Sequence, residues 1–382
     1  MIHTVNRGQQ RQLDDRPSRR TLAHDARLAA RQAMRPLSFS VLRRLGSAGF
    51  TSGARLAGEL SVSRSTIWKA VRDIERSGVD VEHGLGRGYR LCMPVDFIDA
   101  QRVQAMLGPA ARGLSLTVLD HCESTNTALA RQAEADAPHG TVLLAEWQTA
   151  GRGRFDRRWS SAPGAGLTFS VLWRFDKGTP LAGLSLVVGL AIADALRVLG
   201  LREVRLKWPN DVLVRRRKLA GVLTEIRGDM LGPCAAVIGI GLNVRLPQAT
   251  LDAIDQPATD LARSGLENLD RSAILAAVLS GVASALERFG RDGFAPFRRE
   301  WQAHCASLHQ PVRVALPDGG VVRGTMLGVD TQGALRIQVA DGETRRVFSG
   351  ELFEPSAASA GRAARTRREG SGAAHGRQAE IE

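Results

Sequence analysis

Between Ser63 and Gly78 the sequence leaves little choice of structure. Ile67, Ala70, Val71 and Ile74 recur at i, i+3, i+4 and i+7, the spacing that gathers apolar side chains on one stripe of an α-helix. Ser63 stands where a hydroxyl accepts from the free first-turn amides, and Gly78 stops the helix. The opposite face carries Arg64, Ser65, Trp68, Lys69 and Arg72. Before this helix, a segment from Leu37 to Leu45 ends near Gly46 and Gly49. A second, capped by Ser52, buries Leu56, Ala57 and Leu60. After it, Val79 to His83 and Tyr89 to Leu91 flank Gly84-Leu85-Gly86-Arg87-Gly88 as a two-stranded wing with a basic tip. This is the rhythm of a winged helix-turn-helix. Its outer helix face and Arg87 are suited to base edges and phosphates. A small helical protein-interaction unit is the plainer alternative, and Trp68 equally suits a contact with the following domain.

Charge favours the nucleic-acid reading. The chain of 382 residues carries a formal +13. Residues 1–36 hold eight Arg against three Asp, and residues 37–91 nine basic side chains against five acidic. A basic first quarter is the footprint of a polyanion binder. Residues 1–36 lack a sustained apolar period and read as a disordered basic extension, with Met34 a candidate translation start. Residues 355–382, rich in Ala, Arg, Ser and Gly, read as a disordered tail. The N-terminus has no secretory apolar core, and no apolar run approaches the roughly 20 residues of a spanning helix. Cys92, Cys122, Cys234 and Cys305 are far apart with no CxxC pair, which suits reduced thiols in a cytoplasmic protein without membrane attachment.

From about Asp96 strand and helix patterns intermix. Leu116 to Leu119, Thr141 to Glu146, Leu167 to Phe175, Val204 to Trp208, Val212 to Val214, Leu219 to Ile226 and Ala235 to Asn243 read as strands, with Arg215 to Lys218 a hairpin tip. Ser124 caps a helix from Thr125 to Ala133, and Leu181 to Leu199, Ser272 to Phe289 and Phe294 to Ala306 read as helices. The layering is α/β of the α+β kind, with one mixed sheet. Between Pro311 and Phe353, short alternating runs separated by Asp318-Gly319-Gly320, Gln332-Gly333 and Asp341-Gly342 predict a small β-barrel. The segmentation is 1–36, 37–93, 94–308, 309–354 and 355–382.

Two constellations suit chemistry. In Gln148 to Trp159 four arginines crowd around Gly151 and Gly153, offering forked donors on a pliable backbone for a small anion. A solvated basic loop is its plainer reading. A dinucleotide fingerprint is excluded, because Asp156 holds the third glycine position and no capped helix follows. In Lys207-Trp208-Pro209-Asn210-Asp211 a lysine ends a strand, proline forbids further pairing, and two short polar side chains follow, with a simple strand-ending turn as the plainer reading.

Ser124-Thr125-Asn126, the Gln148 to Trp159 loop, Lys207 to Asp211, Lys218-Leu219-Ala220-Gly221 and Gly239-Ile240-Gly241-Leu242-Asn243 stand in the order and approximate spacing of biotin–protein ligases. With the winged unit in front and the barrel behind, residues 37 to 354 resemble the bifunctional bacterial form, which is also the biotin operon repressor. The resemblance implies a ligase domain between a winged helix-turn-helix and a small SH3-like β-barrel. It implies ATP-dependent activation of biotin as biotinyl-5′-AMP and transfer to a lysine of biotin carboxyl carrier protein. It also implies biotin-responsive repression at operator DNA by an adenylate-bound homodimer. Lys207, Arg152 and Arg154 would be catalytic. Ser124, Thr125, Asn126, Gln148, Arg152, Gly153, Arg154 and Lys207 would bind biotin, and Trp159, Asn210 and Asn243 the nucleotide. Mg²⁺ would accompany ATP, with Asn210 and Asp211 nearby.

One departure stands out. After the GRGR run the repressor form has arginine and then glycine, whereas this chain has Phe155-Asp156. Losing the glycine stiffens the loop, and Asp156 is expected to pair with Arg157 or Arg158. The stretch Leu184 to Gly189 resembles the family's dimer surface, with a plain core helix as the alternative. Two other functions compete: a lipoate or octanoate protein ligase, against which Lys207 to Asp211 and the barrel weigh, and a non-enzymatic DNA-binding sensor.

Overall fold

The computed structural model describes residues 34–228 and 234–354. Disorder is expected for residues 1–36 and 355–382; residues 1–33 and 355–382 lie outside the described residues. At 34–36 the expectation is corrected, because Met34 is buried in the core of the first unit and Pro36 begins a helix.

Helices α1 (Pro36–Leu42), α2 (Gly53–Glu59) and α3 (Arg64–Arg76) pack around Phe39, Leu42, Leu56, Ile67, Val71 and Ile74, all essentially inaccessible. The side chains of Ser52 and Ser63 accept the amides of Arg55 and Thr66, as their capping positions require. Strands β1 (Val81–Gly84) and β2 (Gly88–Leu91) form the wing. This unit is seated on the domain that follows. Trp147 joins its core, Phe39 stacks on His121 at 5.7 Å, and Arg43 pairs with Asp120 while its guanidinium lies over Phe97.

Helix α4 (Ala100–Met106), capped by Asp99, leads into a seven-stranded mixed sheet. Its strands are β3 (Ser115–Cys122), β4 (Thr141–Gln148), β7 (Gly166–Phe175), β8 (Val204–Lys207), β9 (Asp211–Val214), β10 (Arg217–Gly228) and β11 (Cys234–Asn243), in the order β3-β4-β7-β11-β10-β9-β8. Only β3 and β4 run parallel, joined by α5 (Thr125–Glu134). The short strands β5 (Gly151–Arg152) and β6 (Arg158–Trp159) pair within the arginine loop. Helices α6 (Leu184–Val198) and α8 (Arg271–Asp292) cover the sheet, and α7 (Gln248–Asp252) lies between β11 and α8. Helix α9 (Arg298–His304) leads to β12 (Pro311–Ala315), β13 (Val321–Val329), β14 (Leu335–Gln338), β15 (Thr344–Val347) and β16 (Glu351–Phe353). These form an antiparallel five-stranded unit ordered β15-β14-β13-β12-β16.

Several expectations need correction. Leu184 and Leu186 to Leu190 are buried, so this stretch is core helix rather than an open dimer surface. Helix α8 is long and apolar enough to cross a membrane, contrary to the sequence expectation, but half of its apolar window is buried and Ile274, Val278, Leu279, Val282 and Leu286 pack into the core. The hairpin tip is narrower than expected: Arg217 and Lys218 already belong to β10, while Arg215 and Arg216 turn with left-handed backbones. The helix expected from Phe294 to Ala306 starts as a 3₁₀ turn and becomes α-helical only from Arg298 to His304.

Candidate active site and nucleic-acid interface

Loops at one end of the sheet surround a cavity of about 1130 Å³. It is lined by Ser124, Thr125, Asn126, Gln148, the Arg152 to Trp159 loop, Lys207 to Asp211, Lys218 and Asn243. The geometry therefore gathers every residue that the sequence analysis assigned to ligand chemistry. Arg76 to Gly78, at the end of α3, and Glu351 to Glu354, from the barrel, reach the same cavity.

Its floor is a set of neutral polar groups whose orientations are fixed. Gln148 Oε1 accepts from the Thr125 amide at 2.6 Å and from its hydroxyl at 3.0 Å, so the Gln148 NH₂ remains a donor for something else. Ser124 caps α5, its hydroxyl oxygen accepting the Thr127 amide at 3.4 Å. Ser170 Oγ lies 2.8 Å from Thr125 Oγ1 and 2.6 Å from Asn126 Oδ1. These donors and acceptors without net charge suit a neutral cyclic urea.

The rim is cationic. Arg154 donates to the Gly350 carbonyl and to Ser349 Oγ, both at 3.2 Å, and Arg157 pairs with Glu351 at 2.6 Å. The barrel thus braces the arginine loop across nearly two hundred residues of sequence. Burial lowers the Arg154 pKa from its ordinary value, while Asp211 and Glu351 raise it. The guanidinium is partly stripped of water, a setting in which it acts strongly on an anion. The expected pairing of Asp156 with Arg157 or Arg158 is replaced by contacts with other partners. Arg157 turns to Glu351, and Arg158 donates to the Thr149 carbonyl at 3.1 Å. Phe155 and Asp156 both adopt left-handed backbones, φ 54° and 56°, where glycine would be less strained.

Lys207 ends β8 opposite Asp211, and the intervening turn is pinned from three sides. The Trp208 indole donates to the Gly333 carbonyl at 3.1 Å, Asn210 Nδ2 donates to the Val222 carbonyl at 2.8 Å, and Ser185 Oγ donates to the Pro209 carbonyl at 3.0 Å. Lys218, whose motif was recognised without a role, places Nζ 2.7 Å from Asp211 Oδ1 and 5.7 Å from the Trp159 ring centroid. Asn243 is buried, its amide donating to the Thr259 carbonyl at 2.9 Å.

Two glycines explain how Trp159 and Asn126 fit. Gly239 and Gly241, two apart on β11, open one face of the strand. A Cβ on Gly241 would stand 2.3 Å from Trp159 Cε2, and one on Gly239 would stand 2.2 Å from Asn126 Oδ1. Gly241→Ala is therefore expected to displace the indole and, on the nucleotide role that the sequence resemblance gives Trp159, to raise the KM for nucleotide about tenfold, roughly 1.4 kcal/mol of binding. The KM for the other small substrate should change less than about twofold. Steady-state kinetics with each substrate varied in turn checks this split.

Glu225 was missed by sequence reasoning. It accepts from Asn126 Nδ2 at 3.0 Å and pairs with Arg152 at 3.2 Å. A lone carboxylate in a strand carries no local signal. Cys122, close to the site, is no nucleophile, because burial and Glu123 push its thiol up to about 12.

In the winged unit Arg64, Ser65, Trp68, Lys69 and Arg72 form the exposed face of α3, with Trp68 53% exposed rather than docked on the next domain. Arg72 lies 5.8 Å from the Trp68 ring centroid, and Arg87 sits 4.3 Å over Phe50 at the wing.

Residues 118–243 match the biotin/lipoate A/B protein ligase family, residues 38–90 an HTH domain, and residues 308–353 the biotin protein ligase C-terminal domain. The bifunctional ligase/repressor BirA of Escherichia coli is 36% identical over 314 residues, covering 82% of this chain and 95% of that protein. The biotin–[acetyl-CoA-carboxylase] ligase of Mycobacterium tuberculosis is 36% identical over 65% of this chain and 91% of its own length. A solved biotin protein ligase from Aquifex aeolicus, in complex with biotin and ATP, superposes with a TM-score of 0.54 at 30% identity, covering 63% of this chain and 99% of that one. The ordered motifs, the flanking domains and these similarities agree: the chain belongs to the family of bifunctional biotin–protein ligases and biotin operon repressors.

Proposed function

We propose that this biotin ligase and repressor assembles biotinyl-5′-AMP in the cavity between β11, the arginine loop and the Lys207 to Asp211 turn. The observation that carries this reading is the pairing of a neutral polar floor with a rim of Arg152, Arg154, Lys207 and Lys218. Ser124, Thr125, Asn126 and Gln148 take the ureido ring, and Lys207, Arg152 and Arg154 face the carboxylate and α-phosphate. In the first step a biotin carboxylate oxygen bonds to the α-phosphorus as the bond to the β-phosphate oxygen breaks, releasing pyrophosphate. Two anions must meet, so fixed cations lower the barrier, and no general base is needed because the carboxylate is already ionised. Trp159 covers the adenine, with Asn210 and Asn243 at its nucleotide end. Gly153 lets the loop pass close to the ligand. In the second step a neutral carrier-lysine amine attacks the acyl carbon, an amide forms, the amine's proton is lost, and AMP departs. A loop that excludes water protects the mixed anhydride until then.

The residues present fit Mg²⁺. Asp211 Oδ1 is buried 2.7 Å from Lys218 Nζ, and Asn210 adjoins it. These oxygen donors suit a hard cation, which when bound supplies neutralisation of phosphate charge.

The segments 37–93, 94–308 and 309–354 are proposed as the DNA-binding, catalytic and C-terminal units, acting in the cytoplasm. The protein partners are proposed to be biotin carboxyl carrier protein and a second copy of this chain when adenylate is bound. Operator contacts are assigned to Arg64, Ser65, Trp68, Lys69, Arg72 and Arg87. Gel-shift titration on the promoter of its own biotin genes, with and without biotin and ATP, tests the repressor half. Affinity should rise when both ligands are present, and no ligand dependence would refute the coupling. Lys69→Ala should weaken binding about equally across sequences and reduce the salt slope by about 1, as the loss of one phosphate contact requires.

A further inference from the structure

Lys207 is the last residue of β8, an edge strand of four residues, and pairs with Asp211 across the turn it enters. The end of a short edge strand is weakly held, so the residues after Lys207 decide where its ammonium lies. Those residues are held firmly. Trp208 is 2% exposed, and a buried indole needs a partner for its N–H. The partner is the Gly333 carbonyl, 3.1 Å away and 125 residues later in the chain, in the barrel turn between β13 and β14.

That turn is shaped by Asp330. Its Oδ1 accepts the amides of Gln332 at 2.8 Å and Ala334 at 2.9 Å. Its backbone amide donates to the Ala334 carbonyl at 2.9 Å, and its carbonyl accepts the Gly333 amide at 3.1 Å. Asp330 Oδ2 accepts from Arg346 Nε at 2.7 Å, and Arg346 also donates to Gln332 Oε1 at 2.9 Å. Burial alone would raise the Asp330 pKa, but the two amides and Arg346 outweigh it and hold the carboxyl below its ordinary value. Gly333 has a left-handed backbone, φ 79°, and a Cβ there would stand 2.9 Å from Gly183 Cα and 3.0 Å from Leu186 Cδ1. The turn therefore lies against the start of α6, whose Ser185 hydroxyl donates to the Pro209 carbonyl at 3.0 Å. Trp208 and Pro209 are gripped between the barrel and a helix of the catalytic unit.

We propose that Asp330 is a positioning residue for the activation step: by shaping the turn that offers the Gly333 carbonyl to Trp208, it sets where Lys207 places its charge. The step that Lys207 serves rests on the reading above, whereas the latch between barrel and turn does not. A misplacement of about 1 Å can cost about a hundredfold in rate, so a contact one residue from Lys207 governs the step without touching substrate. The polar floor of the cavity is built on α5 and β4, so biotin binding is left alone.

Trp208→Phe keeps a buried ring and loses the N–H. Asp330→Ala removes the acceptor of both turn amides. Asp330→Asn keeps an oxygen for them and loses the charge facing Arg346, which is half exposed and so a pair of small worth. The readout is the rate constant of the first pyrophosphate release from biotin and ATP, which does not depend on how many chains are folded. We expect Trp208→Phe and Asp330→Ala each to slow it about tenfold with a biotin KM within about twofold of normal, and Asp330→Asn to stay within about threefold. The double variant Asp330→Ala/Trp208→Phe should be no slower than the slower single one, because both break the same contact. Multiplied effects in the double variant, an unchanged rate in Trp208→Phe or Asp330→Ala, an Asn variant as slow as the Ala variant, or a biotin KM that rises as far as the rate falls would each overturn the assignment. In ¹⁵N-tryptophan-labelled protein without substrates, the indole signal that Trp208→Phe removes should exchange its hydrogen at least about tenfold faster in Asp330→Ala. Equal exchange contradicts the latch. If the unsubstituted chain releases no pyrophosphate, the functional reading fails, and the exchange measurement still decides whether Asp330 holds Trp208.

Discussion

Lys207→Ala is expected to abolish adenylate formation while leaving the protein folded. Lys207 ends an edge strand, and the turn that presents it is fixed through Trp208, Asn210 and Pro209 rather than through the lysine itself. Removing the ammonium therefore costs little in packing. It removes a positive charge from the place where a carboxylate and a phosphate must approach each other. Loss of one pre-oriented electrostatic contact to a transition state is worth about 10²–10³ in rate, roughly 3–4 kcal/mol. Lys218 is no substitute, because Asp211 holds its ammonium. Pyrophosphate release under saturating biotin and ATP should fall by at least about a hundredfold with unfolding unchanged. Near-normal release would remove Lys207 from the reaction.

The largest effect on stability is expected at Arg271, far from the chemistry. Arg271 and Glu146 form an ion pair of 2.7 Å with side chains only 2% and 0% exposed. Arg271 also donates to the Gly166 carbonyl at 2.6 Å and to the Asp96 carbonyl, while Glu146 accepts the Ile98 amide at 2.7 Å. The pair thus fastens α8 to β4 and to the segment entering the catalytic domain. Arg271→Ala leaves Glu146 buried and unpaired, a loss of about 3–5 kcal/mol. Replacing both partners by apolar residues should cost far less than the single change, because no isolated charge remains. Denaturant unfolding of the single and double variants measures the difference. A single variant within about 1 kcal/mol of the unsubstituted protein would contradict this account of the pair.

What the sequence disclosed depends on range. The Ser52 and Ser63 caps, the apolar stripe of α3 and the Asp-Gly turns of the barrel are local, so their residues state the structure directly. The ligand motifs were legible through the order of Ser124 to Asn126, Gln148 to Trp159 and Lys207 to Asp211. Their physical support was not. Glu225 meets Asn126 across 99 residues, Arg154 meets Gly350 across 196, and Arg271 meets Glu146 across 125. No local pattern marks such partners, because each carboxylate or arginine looks like any other charged side chain until the sheet brings them together. Leu184 to Gly189 shows the converse. Its apolar run fits a core helix and an interface equally well, and only the packing of α6 against the sheet decides between them. The strain at Phe155 and Asp156 was partly legible, since a missing glycine was visible, but the capture of Arg157 by Glu351 was not.

Whether this cavity activates biotin for transfer is decided by one incubation series. The full chain is mixed with Mg²⁺, ATP and a biotin carboxyl carrier domain, and with either radiolabelled biotin or radiolabelled lipoate. ATP-dependent biotin label should appear on the carrier lysine, with pyrophosphate released in step with it and no lipoate transfer. Lipoate label without biotin label, or binding of biotin with neither pyrophosphate nor labelled carrier, would contradict that activity.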